Sequence, residues 1–127
     1  MMNIVDASGW LEYFSEGENA DFFAPVIEDT DNLLVPVICL YEVFKRVIQM
    51  RDLQQGQILV SDMLLAGRVI DIDESIALSA ARISLDFGLA MADSLIFASA
   101  RAYSATLWTQ DLHFHDIPGV KWIRKNG

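Results

Sequence analysis

Two hydrophobic rhythms alternate along the chain. Short apolar runs, "MNIV" (2–5), "NLLVP" (32–36), "RVIDI" (68–72), "ATLWT" (105–109) and "VKWI" (120–123), read as strands. Unbroken apolarity of this kind is expected of strands covered on both faces. Between them, helices are predicted over 8–17, 20–29, 37–52, 53–67, 73–88 and 88–102. Ser8 is a candidate cap for the first helix and Gly17 its stop. The fifth opens with Asp73 and Glu74 and closes on Gly88, where the helix dipole and the turn beyond it favour acids and glycine. Segment 110–119, "QDLHFHDIPG", reads as a loop.

Strands alternating with helices imply crossover connections, and hence an α/β fold on a parallel sheet with helices on both faces. No repeat, low-complexity tract or linker divides the 127 residues, so one domain over 1–127 is expected. Ligands in such folds bind beyond the carboxyl ends of the strands, near the point where strand order reverses. Asp6 follows the first strand directly, and Asp111 lies two residues past the fourth. Both carboxylates therefore belong at the same edge of the sheet.

Composition narrows the possibilities. Apolar residues make up 53% and charged residues 21%, a globular mixture. The longest uncharged stretch is ten residues, "NLLVPVICLY", short of the roughly 18 a membrane span needs, so no membrane role is expected. "MMNIVDAS" has neither a basic nor a hydrophobic signal region, and export is not expected. The single cysteine, Cys39, lies in an apolar run and reads as a buried, reduced thiol of a cytoplasmic protein. A mean hydropathy of +0.29 is high for a small domain and predicts apolar surface covered by a partner or a second copy. The net charge of −9 argues against a broad basic surface for loose nucleic-acid binding. It is compatible with a metal-dependent nuclease whose acids gather around a cation.

Each acid has an ordinary reading. Asp6 suits a cap or turn, with Ser8 competing for the cap. Glu42 shares a polar helix stripe with Lys45, Arg46 and Gln49, and a solvated Glu42–Arg46 pair one turn apart accounts for it. Asp93 suits a helix start, although it borders the apolar Ile96 and Phe97. Asp111 suits a turn, and His113 and His115 read as ordinary loop residues, since one distant cysteine and no further histidine make a closed zinc site improbable. The joint pattern points elsewhere. Carboxylates converging on one sheet edge repel and raise one another's pKa values, and an oxygen-seeking divalent cation such as Mg²⁺ or Mn²⁺ relieves that.

The segments "IVDASGWLEYF", "YEVFKRV", "LAMADSLIFASARAYSATLWTQDLHF" and "GVKWI" resemble the PIN domain, and within it the VapC-like toxins of toxin–antitoxin pairs. The resemblance runs through essentially the whole chain. It implies a three-layer α/β/α sandwich on a mostly parallel sheet of four to five short strands, and a Mg²⁺- or Mn²⁺-dependent endoribonuclease acting on RNA. Carried over position by position, it implies that Asp6, Glu42, Asp93 and Asp111 are the catalytic, metal-binding acids. It makes Ser8 and Thr109 their supporting hydroxyls. It further implies a cognate antitoxin and a homodimer. The sequence departs from the pattern after Asp111, where many relatives carry a further acid two or three positions on. Here those positions hold His113 and Phe114, and the next acid, Asp116, is an alternative contributor. Lys45 and Arg46 are candidates for contacting substrate phosphate, with a solvated helix face as the competing reading.

Two rivals differ in class. A non-catalytic module would keep the fold and partner surface and bind no metal productively. A phospho-receiver domain needs an acidic pair after its first strand and a late lysine. Asp6 lacks an acidic neighbour and "WTQDLHF" lacks a lysine, so the second rival is set aside.

Overall fold

The computed structural model describes residues 1–126; Gly127, the last residue of the expected 1–127 domain, lies outside them. Five strands, β1 (Asn3–Val5), β2 (Leu33–Pro36), β3 (Arg68–Ile70), β4 (Thr106–Thr109) and β5 (Val120–Trp122), form one sheet. Its order is β3-β2-β1-β4-β5, and every neighbouring pair is parallel. Six helices complete the α/β sandwich: α1 (Ala7–Phe14), α2 (Ala20–Ile27), α3 (Val37–Met50), α4 (Leu53–Ala66), α5 (Glu74–Phe87) and α6 (Met91–Ala102). Strand order reverses between β1 and β4, so the topological switch point lies where Asp6 and Asp111 leave the sheet.

The central strands are apolar because both faces are covered. Ile4, Val5, Leu34, Val35 and Leu107 are all buried. Helix α6 is buried along most of its length through Ile96, Phe97, Ala98 and Ala100. Its buried Ser94 and Ser99 donate their hydroxyls to the carbonyls of Met91 and Leu95, both at 2.8 Å, so neither is left unpaired. Gly9 lets α1 press onto β1 and α2, because a Cβ there would overlap Val5 and Phe23. Cys39 is buried and unpaired, as its apolar setting predicts. Among the described residues no single helix is long and apolar enough to cross a membrane.

Boundaries shift at two places that matter. Asp6, not Ser8, caps α1, and its carboxylate accepts from the Gly9 N–H. Helix α6 starts at Met91 with Ala90 as its cap residue, so Asp93 lies within the first turn and caps nothing. The loop 110–119 contains a short 3-10 turn, Leu112–Phe114, which Phe114 anchors by burying its ring against Phe97.

Candidate metal centre

Four acids from distant parts of the chain lie near enough to the switch point to perturb one another's charge. Of these only Asp93 and Asp111 share a cluster within 4.8 Å, together with His113. Asp6 leaves β1 in register with Thr109 at the end of β4, since Val5 pairs with Trp108. Its carboxylate is 2% exposed. It accepts from Thr109 Oγ1 at 2.5 Å, from Ser8 Oγ at 2.8 and 3.0 Å, and from the Gly9 N–H at 3.0 Å. Burial nevertheless pushes its pKa up to about 7, against the pull of those donors and with a smaller push from Asp111. Thr109 Oγ1 also accepts the Asp111 N–H at 2.9 Å, so one buried hydroxyl ties the two acidic strand ends together.

Glu42 comes from α3 and is half-buried. Burial raises its pKa, Asp93 and then Asp111 add to the rise, and Lys45 opposes it. No ion pair to Arg46 forms within 4 Å among the described residues, so the simple surface-pair reading of Glu42 does not hold. Asp93, on the first turn of α6, has a side chain 15% exposed. Its pKa is raised to about 6 by burial and then by Asp111, with His113 opposing.

Asp111 is held from both sides of its loop. Its carbonyl accepts the Trp122 indole N–H at 2.9 Å, and its carboxylate accepts the His113 backbone N–H at 2.9 Å. His113 Nδ1 lies 3.0 Å from Asp111 Oδ1 and 3.8 Å from Asp93 Oδ2. The imidazole that reads as an ordinary loop residue in the sequence therefore sits against two of the acids. Its partner in the loop, His115, stacks on Trp122 at 4.3 Å and faces Asp116. Asp116, with its side chain 85% exposed and 3.5 Å from His115, does not join the cluster.

The donor set suits a hard divalent cation. Four carboxylates surround the edge, three with raised pKa values, and no lysine or arginine forms an ion pair with any of them among the described residues. One oxygen or nitrogen from each of Asp93, Asp111 and His113 lies within 4.8 Å of the others, close enough to share an ion. The sequence misses His113 because a histidine in a polar loop carries no periodic signal.

The PIN domain profile matches residues 4–120. Among curated proteins, none matches the chain. Solved structures share the fold. A toxin–antitoxin complex from Klebsiella pneumoniae superposes with a TM-score of 0.73 at 21% identity, covering 93% of this chain and 94% of the other. VapBC2 from Rickettsia felis, bound to a promoter DNA fragment, gives 0.74 at 17% identity over 98% of each chain. VapC20 from Mycobacterium tuberculosis, a Sarcin-Ricin loop cleaving toxin, gives 0.77 at 14% identity, covering 96% and 98%.

Proposed function

The chain belongs to the PIN domain family, and on that premise we propose that it is a Mg²⁺- or Mn²⁺-dependent endoribonuclease, the toxin of a toxin–antitoxin pair. The observation that carries the reading is the convergence of Asp6, Glu42, Asp93 and Asp111 on one sheet edge, with the pKa values of Asp6, Glu42 and Asp93 raised where a cation would lower them. A divalent ion held there supplies the charge that activates water and stabilises the leaving oxygen of a phosphodiester. Ser8 and Thr109 fix the Asp6 carboxylate, and Thr109 also sets the backbone of Asp111. Asp93 enters from a rigid buried helix, which keeps its carboxylate from following solvent. Exposed Lys45 and Arg46 follow Glu42 on α3 and are assigned to the substrate phosphates.

Two partners belong to this reading. A groove of about 900 Å³ runs between α1, α2 and α4, floored by Trp10, Phe14 and Ile27 and rimmed by Glu16, Asp21, Glu28 and Asp62. An antitoxin segment that sets apolar side chains on the floor and basic side chains at the acidic rim fits this groove. The exposed Leu65 on α4 and Leu78 and Leu85 on α5 favour a homodimer. The reduced Cys39 thiol favours the cytoplasm.

The test is cleavage of RNA by the partner-free chain with Mg²⁺, Mn²⁺ or EDTA. Cleavage is expected with either metal and is expected to fall by about 10²–10³-fold in Asp93→Asn, the scale of losing one essential charge-stabilising group. Cleavage that survives EDTA or Asp93→Asn overturns the proposal.

A further inference from the structure

We propose that His113 is an imidazole ligand of this centre and that it biases the site from Mg²⁺ toward Mn²⁺, an inference that rests on the metal-site reading above. Three observations converge on it. His113 Nδ1 stands 3.0 Å from one oxygen of Asp111 and 3.8 Å from one of Asp93, a spacing that one ion bridges after a small side-chain turn. The backbone of His113 is pinned, because its N–H donates to Asp111 Oδ1 and the neighbouring Phe114 is fully buried. The ring is 74% exposed, so solvent would accept it in other orientations, yet it lies over the two carboxylates. His115, two residues on, is instead occupied by Trp122 and Asp116.

The chemistry follows from the donor atoms. Carboxylates alone serve Mg²⁺ and Mn²⁺ comparably, whereas Mg²⁺ dehydrates reluctantly and gains little from imidazole nitrogen. A nitrogen donor favours later first-row ions and adds no negative charge to a site that already holds four carboxylates. His113 therefore tunes which ion the acids hold.

Pulsed EPR of the Mn²⁺-loaded full chain reads the ligand directly. Nitrogen-14 modulation is expected in the unmodified protein and in His115→Gln, and its loss is expected in His113→Gln. Calorimetry supplies the second readout. His113→Gln is expected to weaken Mn²⁺ by about 10–100-fold, the usual scale for disturbing a metal's ligand environment, while Mg²⁺ changes far less. His113→Asp, which exchanges nitrogen for oxygen, is expected to bind Mn²⁺ without nitrogen modulation and to narrow its preference over Mg²⁺. Mn²⁺ bound in an Asp93-dependent way but without nitrogen modulation, or with modulation surviving in His113→Gln, overturns the role of His113 and leaves the acidic site standing. If Asp93→Asn leaves Mn²⁺ binding unchanged, or no binding occurs, the site reading fails and this inference falls with it.

Discussion

Asp6, which caps α1, and Glu12 within it are buried carboxylates whose surroundings drive them in opposite directions. Glu12, 2% exposed, accepts from Lys125 Nζ at 2.5 Å, the Asn19 N–H at 2.9 Å and Gln110 Nε2 at 3.4 Å. Burial pushes its pKa up, but these donors, Lys125 foremost, outweigh it and hold Glu12 below the usual carboxylate range. Gly17 lies against this carboxylate and has no room for a side chain. Asp6, six positions earlier, is equally buried and receives four hydrogen-bond contacts, yet its pKa rises to about 7. Hydrogen bonds satisfy its lone pairs without replacing the missing positive charge. One acid is neutralised by a lysine within the fold; the other has donors but no cationic partner among the described residues.

The largest test of that contrast is the pH dependence of stability. Asp6 titrates near 7 when folded and near its ordinary 3.8 when unfolded, so the folded chain holds the extra proton between those values. The metal-free protein is therefore expected to lose stability as pH rises from about 4 to about 7. Asp6's share of the loss is about 4 kcal/mol at most, from about 1.4 kcal/mol per pKa unit, and the raised Asp93 and Glu42 add to it in the same direction. Denaturant titrations across that range should show the decline, and Asp6→Asn should remove Asp6's share of it while leaving that of Asp93 and Glu42. Saturating Mn²⁺ should remove the decline, because the ion supplies the absent charge. A flat metal-free profile would break the comparison.

The Glu12–Lys125 pair is expected to respond with the opposite sign. Glu12 has a lowered folded pKa, so its contribution is complete above the ordinary value of 4.5 and is lost as pH falls through the folded one. Lys125→Met is expected to cost about 2–3 kcal/mol at neutral pH, the range for hydrogen bonds to charged groups, and less in acid. Thermal melts at pH 7 and pH 3 check this. An equal cost at both would remove the charge from the explanation.

The smallest expected effect sharpens the role of the hydroxyls. Thr109→Val removes the donor to Asp6 and the acceptor for the Asp111 N–H, at about 1 kcal/mol of stability. It should weaken Mn²⁺ more than it destabilises the fold, by about 10-fold or more in a calorimetric titration. Equal loss of both would make Thr109 a packing residue.

Much of the architecture is readable along the chain because it depends on local rhythm. Unbroken apolar runs mark strands covered on both faces, and the α5 boundary at Gly88 follows from a left-handed turn that glycine accepts, at φ 67°. The edge where Asp6 and Asp111 meet follows from strand ends and chain order. Other features are silent in one dimension. The cap of α1 fell to Asp6 over Ser8 because the Asp6 carboxylate reaches the Gly9 N–H while the Ser8 hydroxyl turns back onto Asp6. Glu12 meets Lys125 across 113 positions, and no periodicity connects them. His113 is one of two loop histidines until Phe114 sinks into the core and swings it over Asp93 and Asp111.

Residue order alone therefore specified the α/β alternation, the parallel sheet and the placing of Asp6 and Asp111 at its edge, since those rest on hydrophobic period and chain connectivity. The raised pKa values of Asp6, Glu42 and Asp93, the imidazole beside Asp93 and Asp111, and the lysine that neutralises Glu12 were decided by tertiary packing. Desolvation and Coulomb interactions depend on distance in space, and the fold sets those distances.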